Sequence, residues 1–457
     1  MNVKRKYLLL FIMIGLIHNG YGQDNKEVIK LTIAEAKDYA LKNNRSVQAS
    51  KIDVTIADKK VWETISSGLP QINFATNYQH QFSIPQLSFG SYFDVNSLPD
   101  GYITKSDVES AYKPSPMISL GVPDNVTFDG TISQLIFSGE YIVGLQAVKV
   151  LKQVSEKALV RTEDITKESV STTCYLILVL QENVRVLNNS LKYTDQTYGE
   201  MVKMNQQGFN EETDVDQMKI SRSSIETLIR SSESQAVVAM KLLKYQLGLN
   251  FDQNIMLTDS LPGIIEEGNM QYLSSPAFNV KKNIDYQIVS NQKDISSLML
   301  KREKSKLLPT ISSFYRHEDM TNKPQFNFLV KDVLGINLTL PIVTSGQRLS
   351  RINQAKLDLQ KSNLNLDNTE QALIMEYETS KSDYETAFSN YVTNKESMQL
   401  SKKVYDRTLI KYKEGVTTSF ELTQNISQFL AAETKYYYSI LSLLSAKAKL
   451  DRILGVN

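Results

Sequence analysis

From Glu140 to Gln207 the chain runs 68 residues without a proline and with only Gly144 and Gly199 as weak points. Gln347 to Glu414 forms a second stretch of equal length with neither proline nor glycine. At 1.5 Å per residue each would make a helix about 100 Å long. No ordinary globular core calls for such an element, so the chain must build something extended from a few long rods. Ile177, Val184, Leu191 and Tyr198 step by seven, as do Leu180, Leu187, Thr194 and Met201, which predicts a coiled-coil seam. In the second stretch Tyr384, Tyr391, Met398, Tyr405 and Tyr412 also step by seven, with Ala387, Asn394, Ser401 and Thr408 three residues on. Large knobs opposite small partners predict layered packing of helix on helix, in which the tyrosines serve as packing groups.

The two stretches belong to a repeat. Gly139, Gly208 and Gly248 recur as Gly346, Gly415 and Gly455, and Tyr198, Gln217 and Leu247 as Tyr405, Gln424 and Leu454, all offset by 207. Upstream, Asn44, Gln48 and Pro70 recur as Asn283, Gln287 and Pro309 at an offset of 239, so the first copy carries 32 additional residues between its proline and its glycine. That region loses helical periodicity. Ile72, Phe74, Tyr78, His80 and Phe82 alternate with Gln71, Asn73, Asn77, Gln79 and Gln81, a period-2 pattern, and Val126, Phe128, Ile132 and Ile136 share one face of a second strand. Residues 85–124, rich in Pro, Ser, Gly and aromatics, read as a long loop. Shorter strands follow at 310–317 and 333–343, so each copy contributes a β-hairpin.

The expected organisation is a leader at 1–22, a first repeat at 23–248, a connecting segment at 249–279 and a second repeat at 280–457. Within the first repeat a helix opens at the Thr32/Glu35 capping box and runs to about Ser67. A hairpin at about 70–138, the long helix 140–207 and a shorter helix 213–247 follow. The second repeats the pattern with a helix, a hairpin at about 310–345, a long helix 347–414 and a shorter helix 420–454. Lys4, Arg5 and Lys6 before the apolar run from Tyr7 to Ile17 have the form of a secretory signal, expected to be cleaved near Gly22. Beyond residue 23 no apolar stretch reaches the ~20 residues of a spanning helix, so membrane entry would have to use the strands.

Composition removes other functions. With 51 Lys and Arg against 50 Asp and Glu the formal charge is +1, which excludes the strongly basic surface of a nucleic-acid binder. One cysteine, Cys174, and three histidines leave almost nothing for a metal cluster or a Cys–His nucleophile. No phosphate-cradling glycine loop or nucleophile elbow is present either, so an enzyme is not expected, and no cofactor or metal is implied. Cys174 reads as a small packing residue, His80 and His317 as ordinary strand or rim residues, and Trp62 as packing beneath the strands or a contact at a membrane interface. A hairpin with an apolar, aromatic face and a polar face fits a membrane barrel or one half of a soluble sandwich; four strands leave little for a second sheet, which favours the barrel, and since four cannot close one alone, several chains must share it.

Leu31-Thr32-Ile33-Ala34-Glu35-Ala36 followed by Ala40-Leu41-Lys42-Asn43-Asn44 resembles the opening of the TolC-like outer-membrane efflux proteins, with Arg45 where that family has proline. Leu135-Ile136-Phe137-Ser138-Gly139 and Leu340-Pro341-Ile342-Val343-Thr344-Ser345-Gly346 resemble its strand-to-helix turns. The resemblance covers the whole mature chain. It implies a mainly α chain of two structural repeats with a membrane β-hairpin part. Three chains would form a homotrimer in outer-membrane lipid, with a twelve-stranded barrel continued by an α-barrel tunnel through the periplasm. Function would be that of an exit duct for efflux or type I secretion, docked tip-first to a periplasmic adaptor and an inner-membrane pump. The competing expectation is a structural or adaptor coiled-coil trimer of the periplasm without a pore.

The family's tip pattern falls on Gly208 through Asp214 and Val215, and on Gly415 through Glu421 and Leu422. By that resemblance Tyr412, Asp214 and the position of Thr417, where the family has arginine, form the periplasmic gate, with Tyr412 donating to Asp214. Glu421 would supply an acidic ring at the entrance, while Gln424 stands where a second ring would be. Gly208, Phe209, Gly415 and Val416 would be the tips that meet the adaptor.

Overall fold

The computed structural model describes residues 28–88, 90–114, 117–267, 278–324 and 327–456; the expected leader lies outside them. In chain order the elements are β1 (Ile29–Leu31), α1 (Ile33–Asn43), α2 (Arg45–Ser66), β2 (Gln71–His80), β3 (Gln86–Leu87), β4 (Ser91–Phe93), α3 (Lys105–Ala111), β5 (Tyr112–Pro114), β6 (Ile118–Ser119) and β7 (Asp124–Ser138). They continue with α4 (Gly139–Gln206), α5 (Glu212–Gln246), β8 (Ile255–Leu257), α6 (Leu261–Glu267), α7 (Ile284–Ser305), β9 (Thr310–Met320), β10 (Asp332–Thr339), α8 (Gln347–Lys413) and α9 (Ser419–Leu454). The rods α4 and α8 contain 68 and 67 residues.

The chain divides into two compact units. One comprises the chain up to Ile52 with Lys157–Gln287 and Asn368–Asn457; the other comprises Asp53–Glu156 and Ile288–Asp367. In the first unit Ile177, Leu180, Leu187, Thr194 and Met201 on α4, and Tyr384, Ala387, Tyr391, Thr408 and Tyr412 on α8, are buried, while Val184, Leu191, Tyr198, Met398 and Tyr405 at other heptad positions are half-buried. The tyrosines stack within the coil, Tyr391 on Tyr436 at 6.0 Å and Tyr405 on Phe429 at 5.7 Å. Cys174 lies in the same core, and burial pushes its thiol up to about 12, which leaves it an inert packing group.

The repeated residues turn out to be repeated joints. The Thr32/Glu35 capping box forms, yet the expected continuous helix is broken at Asn44, whose ψ is 129°. Proline is not needed for the break. The Asn44 Oδ1 accepts the Ser46 and Val47 amides at 2.8 and 3.2 Å, starting α2 afresh, while its Nδ2 donates to the Gln246 carbonyl at 2.6 Å. Asn283 does the same in the second copy, accepting from Asp285 N at 2.9 Å and donating to the Ile453 carbonyl at 3.3 Å. Gln48 and Gln287 also match, each donating back to a carbonyl just before the break, of Lys42 and Lys282 respectively. Each asparagine thus caps one helix and ties it to the end of the last helix of its own repeat.

The second unit holds a four-stranded antiparallel sheet in the order β10-β9-β7-β2. Register aligns Ile72 with Ile132, Ile132 with Tyr315, and Tyr315 with Leu334. One face therefore carries Ile72, Phe74, Tyr78, Phe128, Ile132 and Tyr315 together with Leu334, Ile336 and Leu338, all exposed. The opposite face carries Asn73, Asn77, Asp129, Thr131 and Arg316, with Arg316 3.9 Å from Asp129 and 3.6 Å from Glu318. Two-residue periodicity produced this segregation, since a strand sends alternate side chains to opposite faces. On the polar face Phe314 lies against Gly335, where a Cβ would come within 2.6 Å of the ring. Among the described residues both outer strands, β2 and β10, have one edge without a partner. Among the described residues no helix is long and apolar enough to cross a membrane.

The described residues within 85–124 form short paired elements rather than a plain loop. β3 pairs with β6, β4 pairs with β5, and α3 starts from a second capping box, Thr104 with Asp107. Paired strands of two or three residues are too short for alternation to reveal, which is why composition alone suggested a loop. Trp62 is 60% exposed and is not packed away within the chain.

Candidate functional site at the helix turns

Four helices end on glycines in the left-handed region: Gly208 (φ 78°), Gly248 (φ 73°), Gly415 (φ 70°) and Gly455 (φ 70°). At each, the glycine amide donates to the carbonyl three residues back and the next amide to the carbonyl five residues back. Gly208 reaches Asn205 and Phe209 reaches Met204, as Gly415 reaches Tyr412 and Val416 reaches Lys411. This Schellman geometry satisfies the last carbonyls and favours a residue without a Cβ. The 207-residue spacing of the glycines is therefore a spacing of helix stops.

Gly208 and Gly415 turn the chain from α4 into α5 and from α8 into α9. Phe209 and Val416 follow them at 74% and 72% exposure. Beneath, Leu187, Met201, Met218, Ile225, Tyr412, Leu422 and Ile426 form one buried cluster drawn from all four helices. Two hydrogen bonds join the tip of the first repeat to that of the second. The Asn210 amide donates to the Tyr412 hydroxyl at 3.0 Å, and the Ser419 hydroxyl donates to the Asp214 carboxylate. Within the chain Tyr412 thus meets Asn210, and Asp214 meets Ser419, two residues that the family tip pattern did not single out. Burial raises the Tyr412 hydroxyl above its ordinary value, the Asn210 contact acts in the opposite direction, and the Asp214 charge adds to the rise. Thr417 donates to the Glu421 carboxylate, while the Thr418 hydroxyl caps α9 by accepting the Glu421 amide at 3.2 Å. Thr417 therefore holds Glu421 rather than reaching across to the other repeat.

A second duplicated arrangement lies at the far ends of the strands. The Tyr78 hydroxyl and His80 Nδ1 both contact Asp124 Oδ1, at 2.8 and 2.7 Å. Tyr315 and His317 contact Asp332 Oδ1 in the same way, both at 2.7 Å. The signal was present in the sequence as Tyr-x-His at 78–80 and again at 315–317. Among the described residues no group of three or more His, Cys, Asp or Glu could hold a metal ion.

The family model for outer membrane efflux protein matches residues 311–456. No curated protein matches the chain in sequence. The fold is similar to that of solved channel proteins over 93% of this chain: CusC, described as forming a transmembrane channel (13% identity, TM-score 0.75, 92% of that chain), the outer membrane channel CmeC of Campylobacter jejuni (17%, 0.71, 85%) and the outer membrane channel MtrE of Neisseria gonorrhoeae in its open state (14%, 0.72, 88%). The matched second repeat, duplicated in the first, and the shared fold lead to one conclusion. Residues 311–456 are similar to the outer membrane efflux protein family, and the chain has the fold of TolC-like channels.

Proposed function

We propose that three copies of this chain close one barrel and act as the exit duct of a tripartite efflux or type I secretion system. The observation that carries this reading is the sheet: four strands, one apolar exposed face and two unpaired edges. Lipid would cover the face, and the only economical cover for both edges is the next chain, β10 against β2, repeated until twelve strands close. The polar face then lines the lumen, where cargo passes without a pocket. Energy comes from an inner-membrane pump through a periplasmic adaptor, which would meet the tips at Gly208, Phe209, Gly415 and Val416. The detergent-solubilised protein should have a trimer as its smallest folded species and should conduct ions across a planar bilayer. Native mass measurement of a stable, closed monomer would overturn this. Co-purification of an adaptor with a drug pump or with a protein-exporting pump would choose between the two systems.

The tip is proposed as the gate, with Asp214, Tyr412 and Thr417 joined by Asn210 and Ser419. Opening by separation of the two helix pairs would break the Asn210–Tyr412 bond, worth about 0.5–1.5 kcal/mol, and the charged Ser419–Asp214 bond, worth about 1.5–3 kcal/mol. Tyr412→Phe and Asn210→Ala should each raise the open probability about two- to tenfold, with the double variant little beyond either alone. Asp214→Ala should raise it further and add to both. Glu421→Gln should lower cation selectivity, because three such carboxylates would meet near the trimer axis. Unchanged single-channel records in all of these variants would mean that the residues are helix caps and that closure lies elsewhere.

A further inference from the structure

We infer that the cavity between α4, α8 and α9 is a binding site for a monovalent organic cation with an apolar, aromatic body. The inference concerns the helical unit alone and does not rest on conduction. The cavity measures about 650 Å³, the size that holds a drug-like molecule. Glu433 lines it, is 6% exposed, and its Oε2 has no hydrogen-bond partner. A buried carboxylate in that state is costly unless a partner arrives.

Nearby cations are already engaged. Arg185 on α4 forks onto Glu182 at 2.9 and 2.5 Å, and Lys402 on α8 is bound to Asp406 at 2.9 Å. Tyr437, on α9 itself, supplies no positive charge. Glu182, Arg185, Lys402, Asp406 and ionised Glu433 therefore sum to one negative charge, which a single ligand cation would balance. Apart from Asn189 and Ser190, the remaining wall is apolar and π-rich: Tyr405 and Phe429 lie parallel at 5.7 Å, and Tyr193 and Met398 also line it. Such rings attract a delocalised cation. An anion would face the carboxylate, and a metal ion would find only Glu433 and the Lys402-bound Asp406 as carboxylate ligands.

Burial pushes Glu433 up to about 7 against the pull of Lys402 and Arg185, with Glu182 adding to the rise. The empty site is therefore about half protonated at pH 7 and largely protonated below it, and the arriving cation would expel that proton to solvent.

Ethidium, a permanent aromatic cation, should bind the full chain in phosphatidylcholine nanodiscs at one saturable site per chain in equilibrium dialysis. Affinity should rise about tenfold per pH unit from pH 5 to 7 and level off above it. Glu433→Gln, an isostere of the protonated acid, should weaken binding at pH 8 at least tenfold and flatten the pH profile. Asp406→Asn should also weaken it, because the released Lys402 would become an internal competitor for Glu433. Equal binding by wild type and Glu433→Gln, or a wild-type affinity that does not change between pH 5 and 8, would overturn the assignment.

Discussion

Gly248→Ala should destabilise the helical unit by about 3 kcal/mol, whereas Gly455→Ala, at the equivalent position of the second repeat, should cost only about 1 kcal/mol. The two glycines have nearly the same backbone, with φ of 73° and 70°, and end helices in the same way. A side chain in that conformation costs roughly 1–2 kcal/mol at either site. Their surroundings differ. A Cβ at Gly248 would lie 2.3 Å from the carbonyl oxygen of Asn43, a backbone atom at the break between α1 and α2, whereas at Gly455 nothing lies within 4 Å. Relief at Gly248 requires the break itself to move, and with it the Asn44 bond to the Gln246 carbonyl. Thermal unfolding followed by helical circular dichroism should show a clearly larger drop for Gly248→Ala. Equal losses at the two positions would mean that the Asn43 contact relaxes freely.

Much of the fold was legible because its signals are local. Heptad spacing marked which faces of α4 and α8 would be buried, and period-2 alternation separated the two faces of the sheet, since both follow from backbone geometry alone. The glycine spacing marked helix stops because few residues tolerate the left-handed region. The break at Asn44 escaped because its cause is distant: a side chain caps the next helix while bonding a carbonyl some 200 residues away. The small strands of the insert escaped because two or three residues carry no period.

At the tips, the positions of Tyr412 and Asp214 were legible from a spacing pattern, but their partners were not. Asn210 and Ser419 are common turn and cap residues, and only the juxtaposition of two helix turns gives them a further role. Glu433 was invisible for a similar reason. A lone glutamate on a helix is normally solvated, and its burial depends on three helices at once.

Glu433→Gln should raise the stability of the helical unit at pH 8 by an amount on the order of 3 kcal/mol while leaving stability at pH 5 nearly unchanged. The cause is the burial that holds its carboxyl near 7 rather than at the ordinary 4.5. An acid whose folded value is raised contributes stability that is complete below its unfolded value and is lost as pH rises toward the folded one. From about 4.5 to 7 the unfolded chain sheds this proton while the folded chain keeps it, so each step upward in pH favours unfolding. Above about 7 both states are ionised and the slope vanishes. Carboxylates stabilised by their partners have the opposite sign and a lower window. Asp58, held below its ordinary value mainly by the Lys152 hydrogen bond, contributes above its unfolded value and loses that contribution on acidification. Such groups act alike in wild type and variant, so the difference between the two stability curves isolates residue 433. That difference should open between pH 5 and 7 and then run flat. Parallel curves across that range would show that Glu433 is solvated or paired in the folded protein, and would also remove the unpaired charge on which the cation site depends.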